Sequence, residues 1–337
     1  MRIVNNKLKV AVLAGGIGEE RDVSIQSGNC VAEALQKTGL NVITSDIRPD
    51  NMEILEDHSI DVFFIALHGK FGEDGQLQQI LEARSLIYTG SGPTASRLAF
   101  DKMASKKIFA EAGVDTPPAI QLNPDTDTQQ LEKQLQQFAD PVRSPHQRGT
   151  RAEGGYTSNG ADKYVIKPLR QGSSVGVSIV TEPRKAINAA KKCQSEFGDC
   201  MIEKFIPGRM ITVGILCSQP LPIIEVRTQT SFYDYYAKYI DEQTEYLLDT
   251  ISDTAMTEKI KAAALDCFNA LGCRHFGRVD FILGEDKKTY ALEVNTIPGM
   301  TAHSLLPKAA AKTGLSMSNL CLKIVEAAYP SLVTRHP

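Results

Sequence analysis

A chain of 337 residues is long enough for two or three domains around one cleft, and it can bury its core without disulfides or a structural metal. Hydrophobic residues make up 42% and charged residues 23%, an ordinary globular balance. A net charge of -3 and a pI near 6.1 give nucleic acid and anionic membrane nothing to hold, so neither is expected as a partner. The seven cysteines are scattered and never spaced as CxxC, and no charged, apolar leader or membrane-length apolar run accompanies them. They read as free thiols in a cytoplasmic protein, and none is expected to be catalytic.

The first third alternates strand and helix. A β-rich run over 8–13 ends at Gly15-Gly16, and apolar residues at helical spacing follow over 23–37 until Gly39. Strands are expected over Asn41–Ile47 and 61–67, then a helix over Gln76–Ala83 and a strand over 86–89. The nearly all-apolar DVFFIAL has the pattern of a strand covered on both faces. This β-α-β order implies a doubly wound parallel sheet with a site at the strands' carboxyl ends.

Gly90-Ser91-Gly92-Pro93 breaks the pattern, and one long helix is expected over 94–112. Strand Ala119–Leu122 follows Pro117-Pro118, and the stretch 140–162, rich in Gly, Pro, Arg and Ser, reads as a mobile insertion. Short strands then recur over 164–167, 176–180, 201–205, 211–216 and 221–228, with a helix over Pro183–Phe197. A tyrosine-rich irregular loop over 231–250 precedes a helix over 254–271, strands over 277–283 and 290–294, and a terminal helix over 316–328. The expected fold class is therefore α/β at the N-terminus and α+β beyond it. Boundaries fall at 1–93, 94–206 and 207–337.

Four segments carry chemistry. In a strand, alternate residues share a face, so Arg278 and Asp280 point together, as do Glu293 and Asn295. Pairing those strands gathers oxygen ligands suited to Mg²⁺ or Mn²⁺, although the solvated face of an edge hairpin would look the same. The TIPGMTAHSL run after them favours a site. Lys167 opens KPLRQGSSVG, whose small residues let backbone N–H groups approach phosphate; its order does not fit the Walker pattern. Glu203, Lys204, Phe205 and Ile206 combine an acceptor, a cation and an aromatic face, as an adenine slot or an amphipathic strand would. The loop GGIGEER misses the dinucleotide fingerprint, and its Glu19 and Glu20 suit a substrate ammonium better than a pyrophosphate. His68 lies on the same carboxyl edge, structural or functional with equal ease.

In this order, GGIGEERDVS, ALHGKFGEDG, YTGSG followed by Asp101-Lys102, VIKPLRQGSSVG, IEKF, FYDYYAKY, FGRVDF and LEVNTIPGMTAHSL resemble the D-alanine–D-alanine ligases of the ATP-grasp superfamily. The resemblance spans nearly the whole chain outside 140–162. It implies an N-terminal substrate domain followed by a two-part ATP-grasp fold, a homodimer, and ligation of two D-alanine molecules for peptidoglycan through an acyl phosphate. It also implies that Lys102, Lys167 and Lys238 bind phosphates with Ser173 and Ser174, and that Glu203 to Ile206 hold adenine. Asp280, Glu293 and Asn295 would hold two Mg²⁺ (or Mn²⁺). Arg278 and the Gly299 N–H would stabilise the oxyanion. Glu20, Val23 and His68 would surround the first D-alanine, and Ser304 and Leu305 the second. Glu20, Ser173 and Tyr239 would form a trio closing the loop, with Tyr239 favouring an amine as second nucleophile.

Three departures from that pattern stand out. Met210 occupies the position where most relatives carry a glutamate for the ribose hydroxyls, Gln171 replaces a common glutamate, and 247–250 lacks a usual proline. Two other functions fit the same letters: this chemistry with another amino or hydroxy acid, or a nucleotide-binding paralogue without turnover.

Overall fold

The structure, a computed structural model, describes residues 8–122, 126–138, 163–228 and 243–330. The expected insertion at 140–162 lies outside these residues, as do Lys238 and Tyr239. Three sheets follow one another along the chain.

The first comprises β1 (Lys9–Gly15), β2 (Asn41–Ile47) and β3 (Val62–Ile65), with α1 (Arg21–Gln36) and α2 (Gln76–Ala83). β1 is central and pairs in parallel with both neighbours. Its apolar residues are buried on both faces, as are all four of β3, which explains their unbroken hydrophobic runs. The strand expected over 86–89 reduces to one bridge, Phe63 to Tyr88. The single helix expected over 94–112 is two, α3 (Pro93–Phe100) and α4 (Lys102–Glu111). The break is at Asp101, whose carboxylate accepts the Ala104 N–H at 3.1 Å and so caps the second helix.

The second sheet is antiparallel, in the order β4-β7-β5-β6, from β4 (Ala119–Leu122), β5 (Lys163–Pro168), β6 (Ser178–Thr181) and β7 (Cys200–Lys204). Helices α5 (Thr128–Gln136) and α6 (Pro183–Phe197) cover one face through Leu131, Leu135, Ile187 and Ala190. α5 was not expected, because only those two leucines mark its apolar side.

The third sheet is also antiparallel: β8 (Gly208–Leu216), β9 (Gln219–Arg227), β10 (Glu245–Leu248), β11 (Phe276–Gly284) and β12 (Thr289–Asn295), in the order β10-β9-β8-β11-β12. β10 occupies the described end of the stretch expected as irregular loop, paired to β9. Helix α7 (Thr254–Ala270) backs this sheet, and Ala95, Ala99 and Phe109 of α3 and α4 share that core. Two helices close the fold. α8 (Leu305–Lys312) was missed because Pro307 stands inside it, but in a first turn proline deletes only an N–H that has no helical partner. α9 (Met317–Ala328) returns to the N-terminal part, where Leu320 and Ile324 join Val10, Val31 and Leu35 in one core.

Among the described residues no helix is long and apolar enough to cross a membrane. All seven cysteines are free.

Candidate active site

The carboxyl edge of the first sheet faces the third sheet across a cavity of about 360 Å³. Between the second and third sheets lies another of about 400 Å³. Lys102, Gln171, Gly172, Ser173 and Glu293 line both, so the cavities meet there.

Glu20, Val23, His68, Arg278, Gly299, Ser304 and Leu305 all line the first cavity. Lys167, Ser174, Glu203, Lys204, Phe205, Ile206, Met210 and Asp280 line the second. The described residues that sequence singled out thus surround two spaces, with Asn295 on the first and Lys102, Ser173 and Glu293 shared between them.

The hairpin β11–β12 stands at the junction. Asp280 is opposite Glu293 and Arg278 opposite Asn295, so the expected face forms, with a bulge only after Asp280. Asp280 is buried and accepts two hydrogen bonds from Arg278, each 2.8 Å, and one from the Thr212 hydroxyl at 2.6 Å. An ionised carboxylate with about four lone-pair sites is a hard oxygen donor of the kind Mg²⁺ takes. Glu293 lies 3.7 Å from the Lys102 ammonium, which also donates to the Gln171 carbonyl at 2.7 Å. Two carboxylates and an amide oxygen, without sulfur or imidazole, make a donor set that fits Mg²⁺ or Mn²⁺.

The first cavity is held by long-range polar links. The Met300 N–H donates to Ser27 Oγ at 3.2 Å, Ser27 lies 3.0 Å from His68 Nε2, and His68 Nδ1 lies 3.0 Å from the Ile297 carbonyl. A carbonyl only accepts, so Nδ1 carries a hydrogen, and Ser27 can give its own to Nε2. His68 therefore ties α1 and the end of β3 to the loop after β12. Glu73, buried beside it, was not singled out from sequence. It accepts the Gly69 N–H at 3.1 Å, lies 3.9 Å from His68 Nδ1 and lines the cavity. Burial, with Glu20 nearby, raises its pKa above the ordinary carboxyl value.

Glu20 also reaches the phosphate-type loop, accepting a hydrogen bond from the Ser173 hydroxyl. A Cβ at Gly172 would lie 2.7 Å from the Glu20 carboxylate, so this approach demands glycine there. Ser173 and Ser174 follow at φ 48° and 60°, left-handed for two successive non-glycine residues, the kind of strain that gathers at ligand-binding loops. Two members of the expected trio thus meet; Tyr239 lies outside the described residues.

In the second cavity Glu203, only 2% exposed, has a lysine at each oxygen: Lys106 at 2.6 Å and Lys167 at 2.7 Å. Burial works against its ionisation, but the two lysines outweigh that and hold its pKa below the usual carboxylate range. Lys106 escaped the sequence reading. Its spacing of four from Lys102 on a helix, with Ser105 and Phe109 also buried, was the available signal. The wall beyond carries Val177, Ile179, Phe205, Met210, Val226 and Ile282, an apolar slot for a flat ring.

Residues 50–91 match the D-ala D-ala ligase N-terminus family and residues 162–326 the D-ala D-ala ligase C-terminus family. A D-alanine–D-alanine ligase of Syntrophotalea carbinolica is 39% identical over 320 residues, 95% of this chain and 96% of that one. Among solved structures, the D-alanine–D-alanine ligase of Bacillus anthracis superposes with a TM-score of 0.79 at 33% identity, covering 96% of this chain and 98% of the other. The same enzyme complexed with ATP gives a TM-score of 0.78 at 30% identity, over 96% and 98% of the two chains.

Proposed function

This chain belongs to the D-alanine–D-alanine ligase family, and from that premise we propose that it condenses two D-alanines into D-alanyl-D-alanine with ATP as the phosphoryl donor. The observation that carries the assignment is the meeting of two unlike cavities at Lys102, Gly172, Ser173 and Glu293. One mixes polar and apolar lining and is sized for two small amino acids; the other offers an apolar slot and three lysine-bearing elements for a nucleotide.

In this assignment residues 1–93 and 207–337 supply most of the amino-acid cavity, with Lys102 and the 171–173 stretch completing it, and 94–206 and 207–337 clasp ATP. The adenine takes the slot beside Glu203 to Ile206, with Met210 towards the ribose. The phosphates lie under the 172–176 loop, with Lys102, Lys167 and, from sequence, Lys238 around them. Asp280, Glu293 and Asn295 would hold two Mg²⁺ or Mn²⁺, which when bound neutralise charge on the transferring phosphoryl group. Glu20 balances the ammonium of the first D-alanine, beside Val23 and His68. The carboxylate oxygen of that D-alanine attacks the γ-phosphorus, ADP departs, and a D-alanyl phosphate remains at the junction. The amine of the second D-alanine, placed by Ser304 and Leu305, attacks that carbonyl. Arg278 and the Gly299 N–H receive the oxyanion, and phosphate leaves. The Glu20–Ser173 bond, with Tyr239 as third member, keeps the loop closed so that water does not hydrolyse the acyl phosphate. The same reading makes the protein a cytoplasmic homodimer acting in peptidoglycan synthesis.

Release of ADP and phosphate from ATP, Mg²⁺ and each of D-alanine, L-alanine and D-lactate tests this directly. D-alanine should give the fastest turnover by a wide margin. Faster turnover with either competitor would move the chain to another acceptor, and ATP binding without phosphate release would leave it a nucleotide-binding paralogue.

A further inference from the structure

Behind the second cavity, the buried group Lys106–Glu203–Lys167 has more cation than recognition of one base requires. The two lysines differ in surroundings. Lys167 lines the cavity, where an anionic ligand can share it. Lys106 lines neither cavity, and its ammonium donates to the Thr116 hydroxyl at 2.8 Å and the Pro117 carbonyl at 2.7 Å. It stands 2.6 Å from Glu203 Oε1, a fully buried oxygen whose charge it compensates from behind the cavity. Thr116 in turn donates to the Ala291 carbonyl on β12 at 2.8 Å, and Lys204 N–H donates to the Pro118 carbonyl at 2.8 Å. One ammonium therefore links α4, the 116–118 segment, β7 and β12.

Resting on the assignment of this cavity to ATP, we propose that Lys106 is a positioning residue for base recognition: it keeps Glu203 ionised and aimed, so that Oε2, held by Lys167 in this structure, accepts from an exocyclic amine when Lys167 turns to the phosphates. Without Lys106, the departure of Lys167 would leave a buried carboxylate uncompensated. It would then take up a proton or turn away, since an unpaired buried charge is strongly unfavourable. A protonated Glu203 can donate as well as accept, and so no longer distinguishes an amino group from a keto oxygen on the base. Burial lowers the Lys106 pKa only to about 8, so the ammonium remains charged at neutral pH.

The test compares ATP with inosine triphosphate, whose base bears a keto oxygen where adenine bears the amine, at saturating D-alanine. Lys106→Met should lower kcat/KM for ATP by roughly tenfold or more and shrink the preference for ATP over inosine triphosphate, leaving the KM for D-alanine unchanged. Adding Lys106→Met to Glu203→Gln, where no carboxylate charge needs compensation, should change either parameter by less than about twofold. That pair also serves if the single variant fails to fold, because the neutral amide removes the buried charge. A single variant that loses thermal stability yet keeps both nucleotide parameters would reduce Lys106 to a brace and overturn the proposal. Additive losses in the double variant would overturn it too. Failure of the wild-type protein to use ATP at all would instead sink the ligase assignment itself.

Discussion

The two cavities share a wall but are made differently. The amino-acid cavity is assembled from loops of distant parts of the chain, and its rigidity comes from polar links such as Met300 to Ser27 and His68 to Ile297, which span 273 and 229 residues. The nucleotide cavity is a slot between two antiparallel sheets, with an apolar wall and charge at Glu203 and Lys167, at Arg209–Glu225–Arg227 and at the junction. A slot tolerates change along its walls, since each apolar contact adds a little. An assembled cavity depends on how its parts are held together. Substitutions should therefore separate them: changes at the junction affect both substrates, changes in the slot affect ATP alone, and changes where the parts are joined affect D-alanine first.

The largest effect should come from the junction. Asp280→Asn keeps the shape but removes the charge that faces Arg278 and the cation site, and turnover should fall by on the order of 10³-fold or more. Asparagine is the better probe than alanine, because it keeps an acceptor for the Arg278 guanidinium and the Thr212 hydroxyl and so separates folding from catalysis. Near-normal turnover in a folded Asp280→Asn enzyme would remove Asp280 from the metal site.

What sequence could disclose follows the same division. The hairpin was legible because strand alternation places Arg278 with Asp280 and Glu293 with Asn295 without any knowledge of the rest of the fold. The 172–176 loop was legible because a run of small residues after a lysine has few other uses. Ser27 and Lys106 were not, since each has its meaning only through a partner far along the chain or buried behind a helix. Asp101 reads as one more polar residue in a helical stretch until its carboxylate is seen to cap the second helix. Serine, aspartate and lysine are common on solvated faces, and only tertiary contacts distinguish these from the rest.

A smaller effect should mark the slot alone. Met210 faces the nucleotide cavity opposite Val226 and beside Ile282, and a thioether accepts hydrogen bonds poorly. Met210→Glu should restore an acceptor for the ribose hydroxyls and lower the KM for ATP by roughly tenfold, with about 1–3 kcal/mol available from such a contact. The KM for D-alanine should not move. An unchanged KM for ATP would mean the ribose lies elsewhere.

The smallest effect should come from the seam between the first sheet and the third, and it depends on pH. His275 Nδ1 accepts the Gly90 N–H at 3.1 Å, and neighbouring Arg274 donates to the Gly90 carbonyl at 3.0 Å and stacks 5.0 Å above the Tyr88 ring. Burial, then Arg274, lowers the His275 pKa to about 4. The folded value lies below the ordinary value near 6.5, so the folded form binds fewer protons than the unfolded form between them. The contribution to stability is thus complete above about pH 6.5 and is lost as pH falls towards about 4. For a half-buried ring it amounts to on the order of 1–2 kcal/mol. Thermal melts across that range should show a slope that His275→Gln, able to accept the same hydrogen bond without titrating, largely removes. Within the range where the enzyme remains folded, the KM for D-alanine should rise on acidification more in the wild type than in the variant, and the difference should be absent for ATP. The same slope in both proteins would show that the seam is not where acid acts. A matching difference for ATP would mean that the two cavities are not separable in the way their construction implies.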